Sequence, residues 1–291
     1  MTSSSRASLS SRASLSSRAK RGICTLLLLA AQPAIAVGQE PDSVRVKLFE
    51  RRDIWTAAAF VAGTAAMFPL DRHVARQIRD SALIENHALE QTANVIGFLG
   101  SYGPFLIGGG MYVVGRVAER PRLAHLAVHG LESAIFGAAA TGVIKAALGR
   151  ARPSVAGHDN PRDFALFRGL RSDDYQAFPS GHATMAFSIA SAVTLELEGW
   201  YPRSAWIVGP ILYGGATLVG LSRMYEDKHW ASDVVMGAAI GTFAGLKTVR
   251  FTHTRAGNRL DRWLLGDDAL VQLRVLPGAD GSLRFAAFTP W

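Results

Sequence analysis

The 291-residue chain is 49% hydrophobic with a formal net charge of +8, enough for one sizeable domain. Five of its positive charges, Arg6, Arg12, Arg18, Lys20 and Arg21, precede the first acid at Glu40, and no later basic run is interleaved with aromatics, which excludes a nucleic-acid-binding stripe. The single cysteine, Cys24, lies in the same leader; once that leader is removed, disulfides, cysteine-held zinc and a cysteine nucleophile are all excluded.

Residues 1–36 read as a secretory signal peptide. A Ser/Arg-rich start with SSRASL repeated is followed by the apolar stretch Ile23–Ala31 and an Ala34-Ile35-Ala36 cleavage pattern. A transit peptide shares the acid-poor, Ser/Arg-rich composition. A lipid anchor on Cys24 is disfavoured because Cys24 precedes the apolar stretch. Residues 37–53 are polar and charged, a surface segment.

Apolar stretches follow at about 54–70, 95–115, 123–144, 181–198, 205–221 and 230–249. Most approach the roughly 20 residues that cross a bilayer, and their Ala and Gly favour close helix packing. The expected fold is all-α, a bundle of about six mostly membrane-embedded helices over residues 54–250. Their modest hydropathy also leaves room for a soluble helical core. The segment 149–178 is long and polar and is punctuated by Pro153 and Pro161, so it is expected as a loop. Within the tail 251–291, residues 269–276 and 283–289 alternate around Pro277-Gly278-Ala279-Asp280-Gly281, the pattern of a short β-hairpin.

Three polar motifs interrupt this apolar background: Lys145-x6-Arg152-Pro153, Pro179-Ser180-Gly181-His182, and Ser222-Arg223-x5-His229-x3-Asp233. Charge beside membrane-like helices is costly and is usually functional. Lys145, Arg152 and Arg223 can neutralise a phosphoryl group, arginine as a bidentate fork and lysine as a point charge. Ser180-Gly181-His182 opens an apolar helix, whose N-terminus suits an anion. His229 and Asp233 are one helical turn apart, so the carboxylate can hold one ring nitrogen and free the other as a nucleophile. Taken singly, each motif could be a helix cap or a structural pair. If the helices alternate in direction, the ends carrying Lys145, His182, Arg223 and His229 meet on one side.

The set K-x6-RP, PSGH, S-R-x5-H-x3-D resembles the type 2 phosphatidic acid phosphatase (PAP2) superfamily, which includes bacterial acid phosphatases and vanadium haloperoxidases. The resemblance implies that His229 becomes a phosphohistidine and Asp233 orients it. It implies that His182 protonates the leaving oxygen and then activates water, while Lys145, Arg152, Ser180, Gly181 and Arg223 bind the phosphate. It implies no metal or other cofactor. The expected protein is an envelope phosphatase acting on a lipid phosphate or diphosphate, with the bilayer as its other partner. A soluble periplasmic acid phosphatase and a vanadate-dependent haloperoxidase are the alternatives.

Weaker readings attach to other residues. Arg150 joins the cradle or is a plain loop cation. His125, His129 and Glu132 share a helix face and are expected as a buried hydrogen-bonded cluster, with metal binding as the alternative. Tyr175 and Phe178 line the entrance or pack the loop, and Tyr225 to Lys228 shape the pocket or form a solvated turn.

The topology is in tension. A cleaved leader, six spans and an outward-facing active site cannot all hold, because three spans precede Lys145. Lys247, Arg250, Arg255, Arg259 and Arg262 follow the last span, and the positive-inside rule would keep that end in the cytoplasm and the motifs in the periplasm. The short, Ala-rich stretch 54–70, ending at Pro69, is expected not to cross fully.

Overall fold

A computed structural model describes residues 48–79, 85–157, 159–254 and 259–266, together with strands 272–277 and 283–288. The signal-like leader and residues 37–47 lie outside the described residues.

The first described helix, α1 (Arg51–Met67), starts within the segment read as polar surface. Glu50 N–H donates to Asp53 Oδ2 at 2.6 Å, and Asp53 is buried against Lys247 and Arg250. A 3-10 turn at Phe68–Leu70 accommodates Pro69, and the chain continues as α2 (Asp71–Ile78). Residues Arg51–Ile78 together are long and apolar enough to cross a membrane. Asp53 sits beside Lys247 and Asp71 beside Ser232, so this unit runs the length of the bundle. Residues 54–70 alone are short for a span, as expected; with α2 the helical stretch Arg51–Ile78 reaches spanning length.

The stretch at 95–115 is instead broken. Asn86 caps α3 (His87–Ser101), accepting from the amides of Ala88 and Leu89, and Gly103-Pro104 then begins α4 (Gly103–Val117). The remaining long helices are α5 (Pro121–Leu148), α6 (Gly181–Trp200), α7 (Pro202–Tyr225) and α8 (Ala231–Thr254). Of these, α5, α7 and α8 also meet the length and hydropathy of a span. A short α9 (Arg259–Leu265) follows. Strands β1 (Gln272–Pro277) and β2 (Leu283–Phe288) pair antiparallel, Gln272 opposite Phe288, as the alternating pattern predicts.

Helix α8 packs most extensively on α6. Gly237, Gly241 and Gly245 form a stripe along α8 where an added Cβ would collide with the carbonyl oxygens of Ser180, Thr184 and Ser188. Small residues let two backbones approach closely where lipid offers no hydrophobic drive to pack them. The outward faces are apolar, with Trp206 84% and Val143 70% exposed; exposed apolar surface of this extent fits lipid contact. The protein is thus an all-helical membrane bundle with a C-terminal hairpin.

Candidate active site

The antiparallel course of α5 to α8 brings the three motifs to one end of the bundle. Lys145 lies one turn before the end of α5. There Gly149, in the left-handed conformation with φ of 54°, donates its N–H to the Lys145 carbonyl at 3.1 Å; glycine closes a helix this way without a Cβ penalty. Ser180 is the N-cap of α6, its Oγ accepting from Ala183 N–H at 3.4 Å. That leaves the Gly181 and His182 N–H groups without intrahelical acceptors. Lys145 lies beside this helix start: a Cβ on Gly181 would sit 3.9 Å from Lys145 Nζ. The Phe178–Pro179 peptide preceding it is cis.

Arg152 and Arg223 complete the cradle. Arg152 pairs with Asp173 and Arg223 with Glu226, the latter at 3.0 Å. Among the described residues, the buried Nε groups of both arginines meet no protein acceptor. Two buried guanidinium N–H donors without a partner are costly and mark where an anion would be held. Gly97 of α3 makes room for this pair, since a Cβ there would lie 2.6 Å from Arg223 Nη1.

His229 sits between α7 and α8, 4% exposed. Its Nδ1 lies 2.6 Å from the Ala177 carbonyl, which fixes the proton on Nδ1 and leaves the Nε2 lone pair available. Burial, together with the positive charges of Lys145 and Arg152, holds the imidazole well below its usual pKa, so it stays neutral. The same cations surround His182, whose Nε2 contacts Ser101 Oγ at 2.5 Å.

Asp233 does not hold His229 as the one-turn spacing suggests. Its Oδ2 is 3.7 Å from His229 Nδ1, and the Ala177 carbonyl takes that position. Asp233 accepts instead from Trp230 N–H at 2.7 Å and pairs with Arg150, while its own carbonyl accepts from Ser180 N–H at 2.9 Å. It therefore ties the His229 turn to the start of α6.

Arg150 is a structural centre rather than a phosphate ligand. It is fully buried, pairs with both Asp233 and Asp71, and donates to Ser232 Oγ at 2.7 Å and Pro161 O at 2.9 Å. Four aromatic rings surround it, those of Phe68, Phe164, Phe178 and Trp230, at 4.9 to 5.9 Å. Phe178 accordingly packs this core rather than an entrance, and Tyr175 stacks under Arg168 at 4.0 Å. Of the Tyr225–Lys228 turn, Glu226 pairs with Arg223 and Asp227 with Arg79.

Asp71, Ser101, Gly97 and the Ala177 carbonyl had no place in the motif reading. Asp71 carried a signal, a lone acid following an apolar run. The others have none, since their role comes from α3 and the loop folding back.

Residues 126–256 match the model of the PAP2 superfamily, and every motif residue lies inside that span. A lipid A 1-phosphatase of Porphyromonas gingivalis is 41% identical over 83 residues, 27% of this chain and 17% of the relative. An undecaprenyl-diphosphatase of Sulfolobus acidocaldarius is 35% identical over 91 residues, 31% of this chain and 40% of the relative. The chain thus spans less than half the length of these relatives. The crystal structure of a PAP2-type phosphatidylglycerolphosphate phosphatase from Bacillus subtilis aligns with a TM-score of 0.49 and 21% identity, covering 72% of this chain and all of that one. The segment that carries all three motifs is thus similar to the PAP2 superfamily, over somewhat less than half of the chain.

Proposed function

We propose that the protein hydrolyses a lipid phosphate or diphosphate through a phosphohistidine on His229, without a metal at the reacting centre. The observation that carries this reading is the pairing of a neutral His229, its Nδ1 held by Ala177, with the buried Nε donors of Arg152 and Arg223, which meet no acceptor among the described residues. The first is a nucleophile in its reactive form; the second is a fitting seat for a phosphoryl group.

In this scheme Lys145, Arg152 and Arg223, the Ser180 hydroxyl and the amides at Gly181 and His182 hold the phosphoryl oxygens. The bound phosphate's negative charge offsets the burial and the cations that otherwise keep His182 unprotonated, so His182 enters the step as an imidazolium. His229 Nε2 attacks phosphorus in line, the bond to the lipid oxygen breaks, and His182 gives that oxygen its proton. Water then attacks the phosphohistidine, losing its proton to His182, and free phosphate leaves with His229 restored. Asp233 and Arg150 position the two histidine-bearing segments and do not touch substrate.

Among the described residues, four helical stretches of membrane-spanning length favour a substrate presented at headgroup level over the soluble acid phosphatase alternative. The relatives described above are lipid phosphatases rather than haloperoxidases. The motif end faces the periplasm in this reading, because the cationic ends of α8 and α9 lie opposite. The test is phosphate release by detergent-purified protein, with EDTA present, from a panel of lipid and small soluble phosphates. Release from a lipid that survives EDTA and vanishes in His229→Ala supports the proposal. Release only from soluble esters, or activity dependent on metal, overturns it.

A further inference from the structure

At the opposite end of the bundle a second group of titratable side chains converges on His129. Sixteen residues separate it from Lys145 on α5, about 24 Å along the helix, so it has no part in the phosphate cradle. His129 is 3% exposed, and its Nδ1 lies 2.5 Å from Glu196 Oε1 of α6. Both Glu196 oxygens are also 3.0 Å from His253 Nε2 of α8. A carboxylate on Nδ1 keeps the proton there and turns the Nε2 lone pair outward. Among the described residues that buried Nε2 meets no hydrogen-bond partner, and neither does the buried Glu132 Oε1 one turn along α5. The short helix α9 brings a third group: Asp261 Oδ1 is 3.6 Å from His129 Nε2. Ligand atoms of His129, Glu132 and Asp261 all lie within 4.8 Å of one another. Helix α9 is held there from α4, as Tyr112 Oη and Arg116 Nη1 donate to the carbonyls of Leu264 and Leu265 at 2.8 and 3.0 Å.

We propose that His129 Nε2, Glu132 and Asp261 bind a divalent transition-metal cation, with Glu196 and His253 as the outer pair that orients the imidazole. One imidazole nitrogen and two carboxylates gathered within 4.8 Å offer three donor atoms to a single cation. One imidazole with two carboxylates suits zinc or manganese, and a carboxylate behind the ligating histidine is the usual support for such a site. The half-exposed His253 marks the side open to solvent. The metal would pin α9 to the bundle, a role independent of the phosphatase reading. The sequence suggested a cluster of His125, His129 and Glu132; the decisive partners come instead from α6, α8 and α9.

The test is metal content and affinity of the detergent-purified full chain, stripped with EDTA and titrated with Zn2+, with Mn2+ as second probe. Wild type is expected to retain one zinc per chain and to melt at a higher temperature with zinc than without. Glu132→Gln should keep its size-exclusion profile, lose at least about 100-fold in affinity and show no zinc-dependent shift in melting. Glu196→Gln should lose about 10- to 100-fold. Asp261→Asn replaces Glu132→Gln if the latter does not fold, and His229→Ala, run alongside, should retain the zinc. No zinc in wild type, or equal zinc in wild type and in Glu132→Gln or Asp261→Asn, overturns the proposal. So does loss of the zinc in His229→Ala, which would place it in the phosphate cradle.

Discussion

The residue on which most of the catalytic end depends is Arg150, and it is absent from the motif set. Its guanidinium neutralises two fully buried carboxylates, Asp71 and Asp233, so removing it leaves charge uncompensated inside the protein. Arg150→Met should destabilise the protein by about 3–5 kcal/mol and abolish turnover, read as a lowered melting temperature in detergent and lost phosphate release. Pairing to two acids and stacking on aromatics suit arginine, so Arg150→Lys should recover only part of either. His229 gives a pH prediction of definite sign. Its pKa is depressed in the folded state, whereas the unfolded chain's imidazole protonates near about 6.5. Its contribution to stability is therefore full above that value and shrinks as pH falls through it. Melting temperature should drop on acidification below about pH 6.5, and the drop should be shallower in His229→Asn. A slope unchanged by that substitution would contradict the assignment. Lys145, Arg152, Ser180, Gly181, His182, Arg223 and His229 stand out in the sequence as polar residues at or just beyond the ends of apolar stretches, and the structure places the corresponding helix ends and loop at one end of the bundle. The partner of His229 was not legible in this way. One-turn spacing shows that Asp233 can reach the ring, but Ala177, from a loop 52 residues earlier, reaches it first.

Among the elements, the pairing of α6 with α8 does most to hold the site, since Ser180 and His182 start one helix and His229 precedes the other. Gly241 sits where a side chain would collide with the Thr184 carbonyl. Gly241→Leu should force the helices apart, costing about 1–3 kcal/mol or more and lowering kcat, because the amides proposed to bind phosphate and the proposed nucleophile would separate. A variant with unchanged melting and turnover would show that close approach to be dispensable. The long helices were readable from apolar length, and the C-terminal hairpin from its alternation. The break at Tyr102–Gly103 was not drawn from the sequence, although Gly103-Pro104 provides the physical cause: Pro104 lacks an N–H and fits only the first turn of a helix. The burial of Asp53 could not be read locally, since Lys247, almost 200 residues away in the chain, supplies its counter-charge.

For the whole molecule, the course of α1 and α2 decides the topology. Phe49 packs near Phe243 and Asp71 reaches Arg150, so the start of α1 and the motif loops lie at opposite ends of the bundle. In a Cys24→Ser background, Phe49→Cys and Val155→Cys should label from opposite faces of the membrane; labelling from one face would contradict this arrangement. With the motifs facing the periplasm, Phe49 is cytoplasmic, and the signal-peptide reading of residues 1–36 cannot hold together with an outward active site. The measurement that bears most directly on the chemistry is trapping of the phosphoenzyme. Detergent-purified protein is mixed with a lipid substrate carrying a labelled phosphate, then quenched within milliseconds. We expect label bound to the protein that is stable in alkali, lost in acid, located at His229, and absent in His229→Ala. Rapid turnover with no trapped label at any quench time, or label that persists in His229→Ala, would contradict a phosphohistidine at His229.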